Sequence, residues 1–313
     1  LVPMLFLIEF SFYYVCGYFL GVFTTPLQFF VSYLSDPTPF FLIGRITMAI
    51  AGVAAVWLVY IVGKTFFNRA IGIIASFFLA FAFLHVKESH YIKQDVLMGV
   101  FVLGTFYYVL SILQKGRLRD YSLCGITFAL AFGAKYHAVI LLPLIVLAHI
   151  VNARSIAVGK LVLFGVFFSI TFLIIHPYLA IETKSTIEQI IPFTASIQVG
   201  YPEQLLGKPV WWWYLFEHIP QGIGYPLYIV SLLGFLICFL RIGSKKHYVF
   251  IPLLPIIFFV TIHSFTQMHF ARYGIIILPF FALGAAVFLD YVGSFIKNNL
   301  HRTLLFIGLA ILI

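Results

Sequence analysis

FLIGRITMAIAGVAAVWLVYIV, residues 41–62, carries a single charge, Arg45, near its first end. A helix rises about 1.5 Å per residue and the hydrocarbon core of a bilayer is about 30 Å thick, so a run of this length reads as one crossing helix. It shows no alternation of period two, which disfavours a lipid-facing barrel strand. Working outward, similar runs recur near 68–85, 94–114, 119–135, 138–152, 159–181, 223–241, 247–263, 274–291 and from 303 onward. Residues 1–23 are also apolar and either cross the membrane or lie against it. The expected fold is all-α: a polytopic membrane bundle of about 10 transmembrane helices.

Composition agrees. Hydrophobic residues make up 63% of the chain and charged residues 9%, where a soluble domain carries about a quarter; mean hydropathy is +1.08. The chain opens at Leu1 with no basic n-region before its first apolar run, and it stops inside an apolar stretch at Ile313. That pattern suggests a fragment of a longer protein, truncated at both ends. Cys16, Cys124 and Cys238 sit in apolar segments with neither metal nor disulfide spacing, and read as small buried side chains.

Basic residues mark cytoplasmic loops. One set of alternate loops holds Lys64, Arg69, Lys115, Arg117, Arg119, Arg154, Lys160, Arg241, Lys245, Lys246, Lys297 and Arg302, 12 of the 19 basic residues. The other set, 24–40, 86–93, 134–138, 182–222 and 264–273, is then extracytoplasmic. The net charge of +9 reflects this topology and does not call for nucleic acid as a partner.

Against this background HVKESHYIKQDVLMGV, 85–100, gathers six ionisable groups within eleven positions. Charges at the bilayer centre cost about 2.5–3.5 kcal/mol each, so the cluster belongs at the outer rim. If its residues begin one helix, Glu88, Tyr91 and Asp95 share a face, and two carboxylates face one cavity as an acid/base pair or as cation ligands. A solvated helix start, with acids near its N-terminus and lysines snorkelling, is the plainer alternative. Asp95 stands apart, because its helix turns apolar at once. Arg45, Lys135 (in GAKYHAVILLPL, 133–144) and Arg272 (in HFARYGIIILP) each place a cation at an outer helix end. Together they suggest a pocket for an anionic lipid headgroup. In the long outer loop, Trp211, Trp212, Trp213 and Tyr214 fit an interfacial aromatic belt or a surface for a sugar or lipid chain. His85, His90, His176, His263 and His269 follow no zinc spacing; no cofactor is indicated beyond a possible divalent cation.

The ordered set of motifs resembles phospholipid-carrier-dependent glycosyltransferases of the GT-C superfamily, in the protein O-mannosyltransferase and aminoarabinose-transferase branch. The resemblance rests on SDPTPFFLIGR (35–45) with VYIVGKTFF (59–67), ESHYIKQDVLM (88–98), GAKYHAVILLPL (133–144), HPYLAIE (176–182) and HFARYGIIILPFFAL (269–283). It departs from the family pattern at Ala134, where a Thr usually precedes the Lys; where the outer loop usually begins with an acid soon after Pro-Tyr, this chain has Glu182.

The resemblance implies a multi-helix GT-C membrane domain with an extracytoplasmic site, in a plasma or inner membrane or in the endoplasmic reticulum. It implies a polyprenyl- or dolichyl-phosphate sugar donor, a protein, lipid or glycan acceptor, and inverting hexosyl or pentosyl transfer. It also implies a principal catalytic Asp upstream of Leu1. Residues 1–40 then form the tail of the first outer loop, 41–181 the transmembrane module, 182–222 an outer loop, and 223–313 the C-terminal transmembrane helices. Lys135, Arg45 and Arg272 take the lipid phosphate; Asp95, Glu88 and His90 are catalytic; Tyr91, Lys93, Tyr136, His176 and Tyr273 contact substrate. A secondary transporter with an ionisable outer vestibule is the alternative. It fits less well, because the charges gather at helix ends and no internal repeat is visible.

Overall fold

The computed structural model describes residues 1–152, 157–184, 188, 208–243, 245–265 and 269–296. Among them the chain is helical, with no strand. Two helices, α1 (Val2–Phe19) and α2 (Pro26–Ser35), precede α3 (Thr38–Phe66), which contains the 41–62 run. Helix α4 (Arg69–Phe81) starts where Asn68 Oδ1 accepts from the Ile71 N–H at 2.8 Å, a side-chain cap that satisfies one orphan donor. It breaks at Ala82, whose backbone is extended, and α5 (Phe83–Ser89) continues at a bend of 62°.

The central helix is α6 (Gln94–Gln114), buried over most of its length. It packs on α3, on α7 (Leu118–Ala134) and on α8 (Leu142–Asn152), which follows a 3₁₀ turn, Tyr136–Leu141. Helix α9 (Val158–Ile175) leans on α7 and is otherwise open to the outside; α10 (Pro177–Ile181) is one short turn. A bent segment, α11 (Val210–Ile223) with a π turn at Tyr214–His218, meets α12 (Tyr225–Leu240) at 116°. Helix α13 (Phe250–Phe265), a 3₁₀ turn at Ala271–Ile276 and α14 (Leu278–Gly293) complete the described chain. Helices α4 and α12 both pack on α14. A methyl group on Gly234 would overlap the Gly284 carbonyl; such close backbone approach is how helices associate in lipid, where neighbouring chains are as apolar as the helices.

The sequence suggests about ten crossings. Among the described residues four helices, α1, α3, α6 and α9, are long and apolar enough, and up to six spans result if the α4–α5 and α11–α12 pairs each count as one. The runs at 138–152 and 274–291 form shorter helices for a local reason. Pro143 and Pro279 sit in the first turns of α8 and α14, where the missing N–H is harmless. The chain before each winds as 3₁₀ instead. The apolar run from 303 onward, and most of the 182–222 loop, lie outside the described residues.

Candidate active site

Helix α5 ends at Ser89, and Lys93 is extended before α6 begins. Glu88, Tyr91 and Asp95 therefore do not share a helix face. The single-helix reading fails because His90 and Tyr91 close a turn, their N–H groups reaching back to the Lys87 and Glu88 carbonyls at 3.2 Å. Glu88 and Asp95 are nonetheless both buried, on successive helices, while Tyr91 points outward and is 47% exposed. Close packing of α5 on α3 depends on Gly52, where an added Cβ would stand 2.5 Å from Ser89 Oγ. His85 Nε2 lies 3.2 Å from the Gly52 carbonyl oxygen; an oxygen can only accept, so this nitrogen carries the proton.

The centre of the site is an ion pair. Lys135, at the C-terminal cap of α7, donates from Nζ to Asp95 Oδ1 at 2.5 Å. The two side chains are 10% and 3% exposed. The Lys135 ammonium also lies 4.0 Å from the centre of the Tyr273 ring. The Arg272 guanidinium lies 5.4 Å from the centre of the same ring, so the two cations share one aromatic partner. Arg272 stacks its guanidinium on Phe270 at 4.3 Å, and no carboxylate among the described residues pairs with it. Glu88 lies 4.0 Å from Lys93 Nζ, and its Oε2 accepts no hydrogen bond. Tyr136 and Tyr273 flank the ring of His137, at 4.4 and 4.9 Å.

The structure thus brings together Glu88, Lys93, Asp95, Lys135, Tyr136, Arg272 and Tyr273. It sets others apart. Arg45 is exposed on α3 and lines, with His90 and Tyr91, a groove of about 370 Å³. His90 Nδ1 is committed to the Val86 carbonyl at 2.7 Å. His176 stacks on Phe172 at 4.7 Å, beside Gly133 at the end of α7. Among the described residues no three His, Cys, Asp or Glu side chains gather as cation ligands. His269 is stacked on Trp213 at 4.4 Å and lies 3.2 Å from His218; the side chain of His263 lies outside the described residues.

One participant, Tyr214, has a different role from the belt that the sequence suggests. It is fully buried, and its hydroxyl donates to the Phe270 carbonyl at 2.9 Å, fixing the turn that carries Arg272 and Tyr273. It opens the π turn, a geometry often found at functional sites. The available signal is Pro220, which has no N–H to offer the Phe216 carbonyl and so loosens the regular ladder there.

An all-helical membrane bundle with a buried Asp–Lys pair and an arginine at one end defines a polytopic membrane protein with a charged terminal site. The model of the dolichyl-phosphate-mannose-protein mannosyltransferase family matches residues 41–198, half of the chain, and the chain belongs to that family. Its fold is of GT-C type, similar to solved membrane enzymes. ArnT from Cupriavidus metallidurans bound to undecaprenyl phosphate superposes with a TM-score of 0.62 at 12% identity, covering 79% of this chain and 46% of ArnT. The Archaeoglobus fulgidus oligosaccharyltransferase tethered to an acceptor peptide containing an NVT sequon gives 0.55 at 15% identity, covering 87% of this chain and 42% of that one. The chain thus spans less than half the length of these structures. No curated protein matches it by sequence.

Proposed function

We propose that this chain is the membrane portion of a glycosyltransferase that moves a hexosyl or pentosyl unit from a polyprenyl or dolichyl phosphate to an acceptor hydroxyl, with its site on the extracytoplasmic face. The observation that carries the reading is Arg272, a guanidinium without a carboxylate partner among the described residues, beside the buried Lys135–Asp95 pair. ArnT bound to undecaprenyl phosphate, on the same fold, supports a lipid-phosphate donor, and the peptide-tethered oligosaccharyltransferase supports a peptide as one acceptor class. Residues 1–40 would border the site as the tail of an outer loop.

In this reading the bond between the sugar carbon and the phosphate oxygen breaks, and the phosphate leaves with the electron pair. The acceptor oxygen attacks the opposite face of that carbon, inverting it, and gives up its proton. Arg272 holds the departing phosphate through its bidentate fork. Lys135, held by Asp95, contributes fixed positive charge without reorganising. Asp95 is occupied by Lys135, so Glu88, whose Oε2 accepts no hydrogen bond, is the better carboxylate for the acceptor side. Tyr136 and Tyr273 give the sugar or lipid an aromatic wall. Arg45, His90 and Tyr91 line a separate groove and serve at most the approach to the site.

The test is undecaprenyl- and dolichyl-phosphate binding to the purified protein in nanodiscs. Arg272→Gln removes a charge-assisted hydrogen bond of roughly 1.5–3 kcal/mol and should weaken binding about ten- to a hundredfold. Glu88→Gln should bind the lipid normally. Wild-type affinity in both Arg272→Gln and Lys135→Gln would remove the lipid-phosphate reading.

A further inference from the structure

The far end of the bundle holds a second charged cavity that this function does not use. It measures about 620 Å³ and lies among the end of α6, the starts of α7 and α9, the end of α8 and the turn after α12. Lys115, Lys160 and Lys246 line it, with His247, His149 and Tyr121, and none of its lining residues among the described ones is acidic. Basic residues are common at this end of a membrane bundle, so the lysines alone would mean little. The cavity and the buried histidine go further.

His149 is 3% exposed. Its Nδ1 lies 2.7 Å from the hydroxyl of Tyr121, itself buried, and its Nε2 is buried with no partner. One ring nitrogen of His149 is thus tied to Tyr121 and the other is buried without a partner, in a residue that lines the basic cavity. Such orphans are costly and call for an explanation. The nearest acid by sequence, Asp120, is turned to its own helix start, where its Oδ2 accepts from the Arg117 N–H at 3.0 Å. Lys160 donates to the neutral Gly116 carbonyl at 2.7 Å, so its charge is not cancelled. Asn152 ties α8 to the last turn of α6 through the Ile112 and Leu113 carbonyls, at 2.7 and 2.9 Å. The walls are therefore fixed by interhelical bonds before any ligand arrives.

We infer that this cavity binds a phosphate-bearing anion, held by Lys115, Lys160 and Lys246 against the His149–Tyr121 wall. Its volume falls in the range of ligand pockets, and basic pockets between transmembrane helices suit lipid phosphate headgroups. A soluble phosphate compound would satisfy the same chemistry. The site is independent of the proposed transferase activity, so its test needs no turnover.

Lys115 and Lys246 are exposed, so the double variant K115Q/K246Q should fold. The control K64Q/R69Q removes the same charge from exposed positions at the same end, outside the cavity. Two probes separate the sources: retention of phosphatidylglycerol from mixed phosphatidylcholine nanodiscs, read by native mass spectrometry, and titration with inorganic pyrophosphate. Each lost charge-assisted contact should weaken binding about tenfold or more. Retention of phosphatidylglycerol that K115Q/K246Q abolishes and the control preserves supports a lipid headgroup. The same pattern with pyrophosphate alone supports a soluble phosphate. Wild-type behaviour in K115Q/K246Q, equal loss in both variants, or binding of neither probe overturns the site.

Discussion

The two ends of α6 handle charge in opposite ways. At the first end Asp95 is buried and paired with Lys135, and Glu88 is buried near Lys93. At the other end Lys115 and Lys246 stand exposed beside Lys160, around a cavity with no acid among its described lining residues. The α6 helix has 21 residues, so the ends are about 30 Å apart, roughly the thickness of a bilayer core. A buried charge is tolerable only with a partner, whereas a lysine at an interface keeps its ammonium wet and is cheap. The first end is therefore built rigid and nearly neutral, with Arg272 as the cation it presents. The second is an open basic cavity.

Removing one partner at the paired end should have the largest effect. Asp95→Ala leaves Lys135 buried without its counter-charge, which costs about 3–5 kcal/mol and should show as a large fall in thermal stability in detergent. Asp95→Asn with Lys135→Met should recover much of that loss. Equal stability of Asp95→Ala and wild type would mean the pair is solvated, and the contrast between the ends would vanish. Gly52→Ala drives a methyl group into Ser89 Oγ; overpacking of this kind costs about 1–3 kcal/mol and should loosen α5, read as faster hydrogen exchange over 83–93.

At the open end Tyr121→Phe removes one buried hydrogen bond, and the expected loss is about 1 kcal/mol. A loss as large as that of Asp95→Ala would show that the second end is as tightly built as the first. The smallest effect expected on stability, yet the sharpest on orientation, comes from labelling. In a Cys16→Ser background, with Cys124 and Cys238 buried, Tyr91→Cys should react with an impermeant thiol reagent in intact cells and Lys245→Cys only after lysis. The opposite pattern would place the candidate site in the cytoplasm.

Which residues gather in the candidate cluster was largely legible, because ionisable residues such as Glu88, Asp95, Lys135 and Arg272 stand out in a chain that is mostly apolar, and hydropathy is local. What failed to read correctly was geometry inside the cluster. The residues 85–95 look like one helix start by composition, but the chain bends at Ala82 and turns again at 90–93. Tyr214 was hidden for another reason: a run of four aromatics at an outer loop has the composition of an interfacial belt, and only the π turn directs its last member inward.

The sequence by itself determined the class of protein: the length and polarity of its apolar runs, the asymmetry of its basic loops, and the end of the bundle at which acids and isolated cations meet. These follow from the dimensions and dielectric of a bilayer, which act on every segment separately. Only the tertiary structure decided which charges pair. Asp95 and Lys135 are 40 residues apart and meet because α6 packs against α7, while Arg45, equally suited by sequence, faces outward from α3. Pairing depends on distances of a few ångströms between helices, and those are set by packing.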